Sequence, residues 1–201
     1  MEKYIEIAFK KGYKRLIKHS FSKTIDVEFG IADDGRMAIC LKASHGWVDW
    51  LINLVALPNA MGAHSGYYKE WDLCRDKFFK MIKETPDLKK AAEQNGVIIA
   101  GRSKGGAEAL IIGVSLVLQL QYEVEVGGVD PANAGTKKYI EFAEKIIGKN
   151  RIHSTCYKND IVPAIPFWLH YAGIRKQYGE RRLGLSIKDH IKATTDISVF
   201  S

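Results

Sequence analysis

The chain has 201 residues, 46% of them apolar, with 30 basic and 23 acidic side chains and a net charge of +7. That length suits one domain with a buried core, and the mixed charge excludes a disordered polyelectrolyte. The positive balance allows attraction to anionic surfaces, but no long Lys/Arg block and no nucleic-acid motif accompanies it, so nucleic acid is not an expected partner.

In chain order, residues 1–20 place Tyr4, Ile5, Ala8, Tyr13, Leu16 and Ile17 at helical spacing and predict an amphipathic helix. This opening lacks the apolar stretch of a secretory signal, and no run of 18 apolar residues follows, so a cytoplasmic protein is the expectation. Residues 24–33 and 36–43 read as strands joined by an Asp-Asp-Gly turn. Residues 45–58, HGWVDWLINLVALP, carry Trp47, Trp50, Leu51, Leu54 and Val55 at helical spacing. Residues 66–85 form a longer amphipathic helix stopped by Pro86, and 86–95 a short one with Gly96 as its C-cap.

Residues 97–101, VIIAG, are a short apolar run, as in a strand buried on both faces. A helix apolar nearly all round follows over 105–120, then a strand at 122–130, a helix at 135–150 and a strand at 151–160. This alternation describes a parallel sheet with crossover helices, an α/β fold in a single domain spanning 1–201. Cys40, Cys74 and Cys156 are odd in number and widely spaced, which argues against disulfides and against zinc. Cys40 and Cys156 read as core residues and Cys74 as a partly exposed thiol.

The chemistry-bearing stretch is GRSKGG at 101–106. A Gly-x-Ser-x-Gly between a buried strand and a helix is the pattern of a nucleophile elbow, in which glycines make room for a serine on a tight turn. A glycine-rich strand-to-helix joint satisfies the same pattern. A nucleophilic Ser103 needs a base oriented by a carboxylate, with the acid past a later strand and the base after it. Asp160 stands in that place, and a turn-forming aspartate is its other reading. His153, His170 and His190 follow Ser103. His153 lies in a strand, His170 among aromatics as a possible buried histidine, and His190 in a polar loop or short helix.

Taken together, these segments resemble the class 3 lipases, the fungal-type triacylglycerol lipase group of the α/β-hydrolases, over roughly residues 25–195. ICLKASHGWVDWLINL is similar to the strand and Asp-Trp pair of the oxyanion region, and HSGYY to a His-x-Gly-Phe segment. VIIAGRSKGGAEALI is similar to the elbow, GGVDPANAG to the segment after the next strand, NDIVPAIP to Asn-Asp-x-Val-Pro-x-Leu-Pro, and KDHIKAT to the late Asp-His. The resemblance implies an α/β-hydrolase with a mostly parallel sheet and helices on both faces. It implies a Ser103–His190–Asp160 triad, oxyanion donors at Ser44 and Lys104, an acyl ester or lipid substrate, and no metal or organic cofactor.

Lys42-Ala43 replaces the family's Arg-Gly, and Arg102 and Lys104 replace His and Leu around the nucleophile. These departures place Lys42, Arg102 and Lys104 beside the site, where they would favour anionic acyl substrates and contact with an anionic membrane surface. Trp47 and Trp50 are expected either in a lid that meets lipid or in a core-facing helix. A hydrolase shell that only binds, and a thioesterase, peptidase or acyltransferase with the same triad, are the alternatives.

Overall fold

The computed structural model describes residues 2–22, 25–42 and 57–200. Ala43–Ala56 lies outside them, and with it the expected helix at 45–58, Ser44, Trp47 and Trp50. Among the described residues, seven strands form one sheet in sequence order: β1 Tyr13–Ser20, β2 Asp26–Ala32, β3 Met37–Leu41, β4 Val97–Arg102, β5 Val124–Val129, β6 Ile152–Tyr157 and β7 Ile174–Tyr178. β1, β2 and β3 pair antiparallel, and β3 through β7 pair parallel. The fold is the mostly parallel α/β-hydrolase sheet.

Between β3 and β4 run α2 (Ser65–Glu84) and α3 (Pro86–Asn95). α4 (Lys104–Leu120) joins β4 to β5, and α5 (Lys137–Ile147) joins β5 to β6. Parallel crossovers are right-handed, so a sheet growing in one direction sends all these helices to one face. The other face is covered by the chain ends: α1 (Lys3–Ala8), α6 (Ile187–Thr195) and the turn Ile197–Phe200. The strands alternate to suit. Met37, Ile39, Leu41, Val97 and Ile99 pack towards α2–α5, while Ala38, Cys40, Ile98 and Ala100 face the chain ends. The chain-end face is built from small residues and admits α1 closely. A Cβ on Gly127 would lie 2.3 Å from Cβ of Tyr4.

The helix expected over residues 1–20 ends at Ala8, with Lys10 and Gly12 at positive φ, and Tyr13–Ser20 is a strand instead. The reason lies in its pairing with β2, whose register shifts between Arg15 and Ile17. A bulge breaks the alternation of a strand, so Tyr13, Leu16 and Ile17 acquire helix-like spacing. β7 escaped the sequence reading because IRKQY is a charged, exposed edge strand with no buried run to betray it. Gly96 ends α3 at φ 82°, as expected. Cys74, expected partly exposed, is buried on the inner face of α2, and its thiol donates to the carbonyl of Trp71.

Candidate active site

The carboxyl ends of the parallel strands bring three loops to one end of the sheet. β4 delivers Ser103, which sits at φ 52°, ψ −123° before α4 begins. That conformation costs about 1–3 kcal/mol and persists only where the surroundings enforce it. Here they do. The Ser103 N–H donates to the Val129 carbonyl at 3.0 Å, and its carbonyl accepts from Gly106 and Ala132 at 3.0 and 3.1 Å. A Cβ on Gly101 would lie 2.4 Å from the Gly105 carbonyl carbon, and one on Gly105 would lie 2.9 Å from the Leu41 carbonyl oxygen. The glycines of GRSKGG are therefore the condition for the turn, and they let α4 start hard against β3 and β4.

β6 delivers the acid. After Tyr157 the chain turns through Lys158 at φ 48°, and Asp160 Oδ1 accepts the Val162 N–H at 2.7 Å. Asn159 stitches this loop to the one that follows β7. Its amide donates to the carbonyls of Arg182 and Gly184 and its Oδ1 accepts from the Arg182 N–H. That second loop ends at Ser186, whose hydroxyl caps α6 by accepting the Asp189 N–H at 3.1 Å. One residue on, α6 turns His190 inward.

The three side chains meet. His190 Nε2 lies 3.0 Å from Ser103 Oγ, and His190 Nδ1 lies 2.6 Å from Asp160 Oδ2. All three are buried. Burial holds the His190 imidazole down at about 4, so it is neutral at neutral pH and able to take a proton. Burial also pushes Asp160 up, to about 7. Lys104 opens α4, so its N–H has no acceptor within the helix and stands at the positive end of the helix dipole, beside the serine. Ser44, the other expected oxyanion donor, lies outside the described residues.

The family whose description is Lipase (class 3) matches residues 40–170. The chain belongs to the class 3 lipase family. Solved lipases share the fold: one from Rhizopus microsporus var. chinensis at TM-score 0.72 and 17% identity, covering 94% of this chain and 71% of that one. The Rhizomucor miehei lipase in its propeptide complex gives 0.70 at 16% identity, covering 84% of this chain and 58% of that one. A triacylglycerol lipase whose catalytic centre is a serine protease triad gives 0.69 at 15%, covering 94% and 80%. No curated protein matches this chain by sequence. The chain is a carboxylic ester hydrolase of this family and spans 58%, 71% and 80% of the length of these three lipases.

Within this class 3 lipase the other sequence-picked residues fall in different places. His153 stacks on Tyr4, with ring centroids 5.6 Å apart, away from Ser103. His170 is exposed rather than buried, and its backbone pairs with Gly135. The Lys104 side chain, expected to meet anionic substrate, is 1% exposed and held by Glu70 at 2.6 Å and Glu108 at 3.1 Å. The Arg102 guanidinium, also expected beside substrate, turns to the opposite face of the sheet. It lies 4.8 Å over the Phe9 ring and donates to the Thr194 carbonyl at the end of α6. It thereby ties the helix that carries His190 to the strand that carries Ser103. Lys42 is partly exposed and lies 3.7 Å from Asp26. Two residues given no role in the sequence reading matter here: Asn159, which docks the acid loop against the histidine loop, and Asp130, a second buried carboxyl, which accepts the N–H of Tyr157.

Proposed function

We propose that this class 3 lipase is a serine hydrolase that cleaves acyl esters of lipids through an acyl-enzyme on Ser103. The observation that carries this reading is the unbroken relay Ser103 Oγ–His190–Asp160, at 3.0 and 2.6 Å, with its serine at a helix N-terminus. Ser103 Oγ attacks the acyl carbonyl and passes its proton to His190 Nε2. Asp160 fixes the tautomer with the proton on Nδ1 and stabilises the imidazolium. The oxyanion of the tetrahedral intermediate accepts from the Lys104 N–H and from a Ser44 donor, and loss of one such donor costs about 3–4 kcal/mol of barrier. As the C–O bond breaks, His190 protonates the leaving alcohol. Water then enters, gives its proton to His190, and releases the acid from Ser103. The serine protease triad of the solved triacylglycerol lipase supports this assignment. A panel of matched esters, thioesters and amides tests it: ester turnover dominates, and turnover of the thioester or amide alone contradicts the bond assignment.

The rim of the site supports a lipid surface as the place of action. Leu183, Leu185, Ile187, Ile191 and Phe167 are exposed on the loops and helix that carry His190 and follow Asp160. Beside them a cavity of about 390 Å³ is lined by Lys158, Arg175, Arg181 and Arg182 together with Asp160. Among the described residues no carboxylate pairs with those four cations within salt-bridge distance. Apolar side chains beside unneutralised cations fit an anionic bilayer, each cation near the surface contributing about 1 kcal/mol. Binding to vesicles containing phosphatidylserine is expected to exceed binding to phosphatidylcholine vesicles at least about tenfold and to weaken with salt. The double variant Arg181→Gln/Arg182→Gln removes most of that difference. Equal binding to both vesicles removes the anionic-surface reading. No helix among the described residues is long and apolar enough to cross a membrane.

A further inference from the structure

β6 and β7 pair in parallel from His153 with Ile174 to Tyr157 with Tyr178, so the two strands end level at the carboxyl edge of the sheet. The loops that leave them lie side by side. Residues 158–164 follow β6 and hold Asp160, and residues 179–186 follow β7 and lead to α6 and His190. The Asn159 side chain joins the two loops. The cavity of about 390 Å³ lies between these loops and β7. Each wall supplies a cation: Lys158 from the first loop, Arg175 from β7, and Arg181 and Arg182 from the second loop.

The wall is built rather than casual. Arg181 Nε donates to Gln177 Oε1 at 2.9 Å, and its Nη2 lies 4.0 Å from the buried Cys156 Sγ. The Gln177 amide is fixed in turn, donating to the carbonyls of Lys158 and Tyr178 at 3.2 Å. Lys158 Nζ lies 5.3 Å over the Tyr157 ring. Among the described residues that line the cavity, Asp160 is the one carboxylate. It is occupied by the Val162 N–H and His190 Nδ1. Glu180 and Asp189 line the smaller neighbouring cavity, where Asp189 Oδ2 accepts the Asn159 N–H at 3.2 Å. Four cations facing one hollow repel one another, and an anion among them removes that repulsion. Guanidinium forks match the oxygens of phosphate, and a phosphate monoester brings close to two charges and three free oxygens.

We propose that this cavity is a binding site for a phosphate monoester, either a free compound or the headgroup of an acidic lipid, gripped by Lys158, Arg175, Arg181 and Arg182. The proposal deepens the anionic-surface reading above, on which the lipid source rests: general attraction becomes recognition of one phosphate in one hollow. The page favours the lipid, because Leu185 lines the cavity and Leu183 beside it is fully exposed, where an acyl tail would lie. A bound phosphate also clasps the loop that carries the acid to the loop that leads to the base. That second loop has little packing of its own, since a Cβ on Gly184 would meet nothing within 4 Å.

The test begins with inorganic phosphate and glycerol 3-phosphate, titrated by calorimetry at about pH 7.5 against chloride of equal ionic strength, with Tm read alongside. Saturable binding of one phosphate per chain is expected, with Kd below about 1 mM and a Tm rise of a few degrees. Arg175→Gln should weaken it about tenfold, and Lys188→Gln, which removes the same charge from α6 outside the cavity, should leave it unchanged. Arg175 is exposed on an edge strand, and Arg181→Gln serves as a second variant should the first not fold. Vesicles then separate the sources. At equal surface potential, phosphatidic acid in phosphatidylcholine should bind about fivefold or more tighter than phosphatidylserine in phosphatidylcholine. Saturable binding of soluble phosphate without that vesicle preference assigns the site to a free phosphate compound. No saturation by about 10 mM phosphate, or equal losses in Arg175→Gln and Lys188→Gln, overturns the site. A preference for phosphatidylserine over phosphatidylcholine would then still stand as surface attraction, so the failure of either reading is seen apart from the other.

Discussion

Replacing Ser103 by alanine is expected to lower ester turnover about 10⁵- to 10⁶-fold, the magnitude seen when one member of a serine triad is removed. Only Oγ is lost, and the turn is held by the backbone bonds from Ser103 to Val129, Gly106 and Ala132. The variant should therefore keep its fold and its Tm to within a few degrees. KM should stay near wild type, because Oγ acts in the transition state rather than in ground-state binding. His190→Ala should fall into the same range, and the double variant should lose little more than either single one, since the two act as one unit. Additive losses would mean that the 3.0 Å contact is not the working relay.

The second large effect falls on stability. Lys104 is the residue after Ser103, yet its side chain passes between α2 and α4 to Glu70 and Glu108, at 2.6 and 3.1 Å. Glu108 is buried and has Lys104 as its cation, and its burial pushes it up to about 8. Truncation of Lys104 to alanine strands that carboxyl and opens a cavity, so a loss of about 3–5 kcal/mol is expected. The sign with pH is definite. Glu108 is raised above its unfolded value of 4.5, so its protonated form is favoured in the fold, and stability is lost as pH rises from about 4.5 through 8. Without Lys104 that penalty grows, and Lys104→Ala should be most destabilising near about pH 9 and least near about pH 5. Adding Glu108→Gln should recover part of the loss at high pH. Denaturant unfolding at the two pH values decides this, and an equal loss at both would contradict it.

These two residues also show what a sequence discloses about such a site. The elbow was legible because GRSKGG records backbone requirements, and Gly101 and Gly105 have no room for a Cβ. The loop NDIVPAIP was legible for a similar reason: Asn159, Asp160 and Pro163 each carry out local backbone work that leaves a fixed pattern of residues. Position alone left His190 as one of three histidines and only the KDHIKAT resemblance singled it out; the fold turns α6 inward and leaves His153 on a strand and His170 exposed.

Side-chain direction was the part that chain proximity concealed. Arg102 and Lys104 flank Ser103 in sequence, but the strand sends one to Phe9 and α6 and the helix sends the other under α2. Asp130 and Tyr157 are far apart in the sequence, and the pairing of β5 with β6 lets the Asp130 carboxyl accept the Tyr157 N–H. The bulge in β1 and the exposed edge of β7 hid two of the seven strands. The central, doubly covered strands announced themselves as apolar runs.

The proposed relay makes Ser103 an activated nucleophile. Labelling with a fluorophosphonate, read by intact mass on wild type and Ser103→Ala, tests that activation. A single adduct on wild type and none on Ser103→Ala is the predicted result. No adduct on folded wild type, or equal labelling of both proteins, would contradict the account and leave a hydrolase shell that binds lipid without cleaving it.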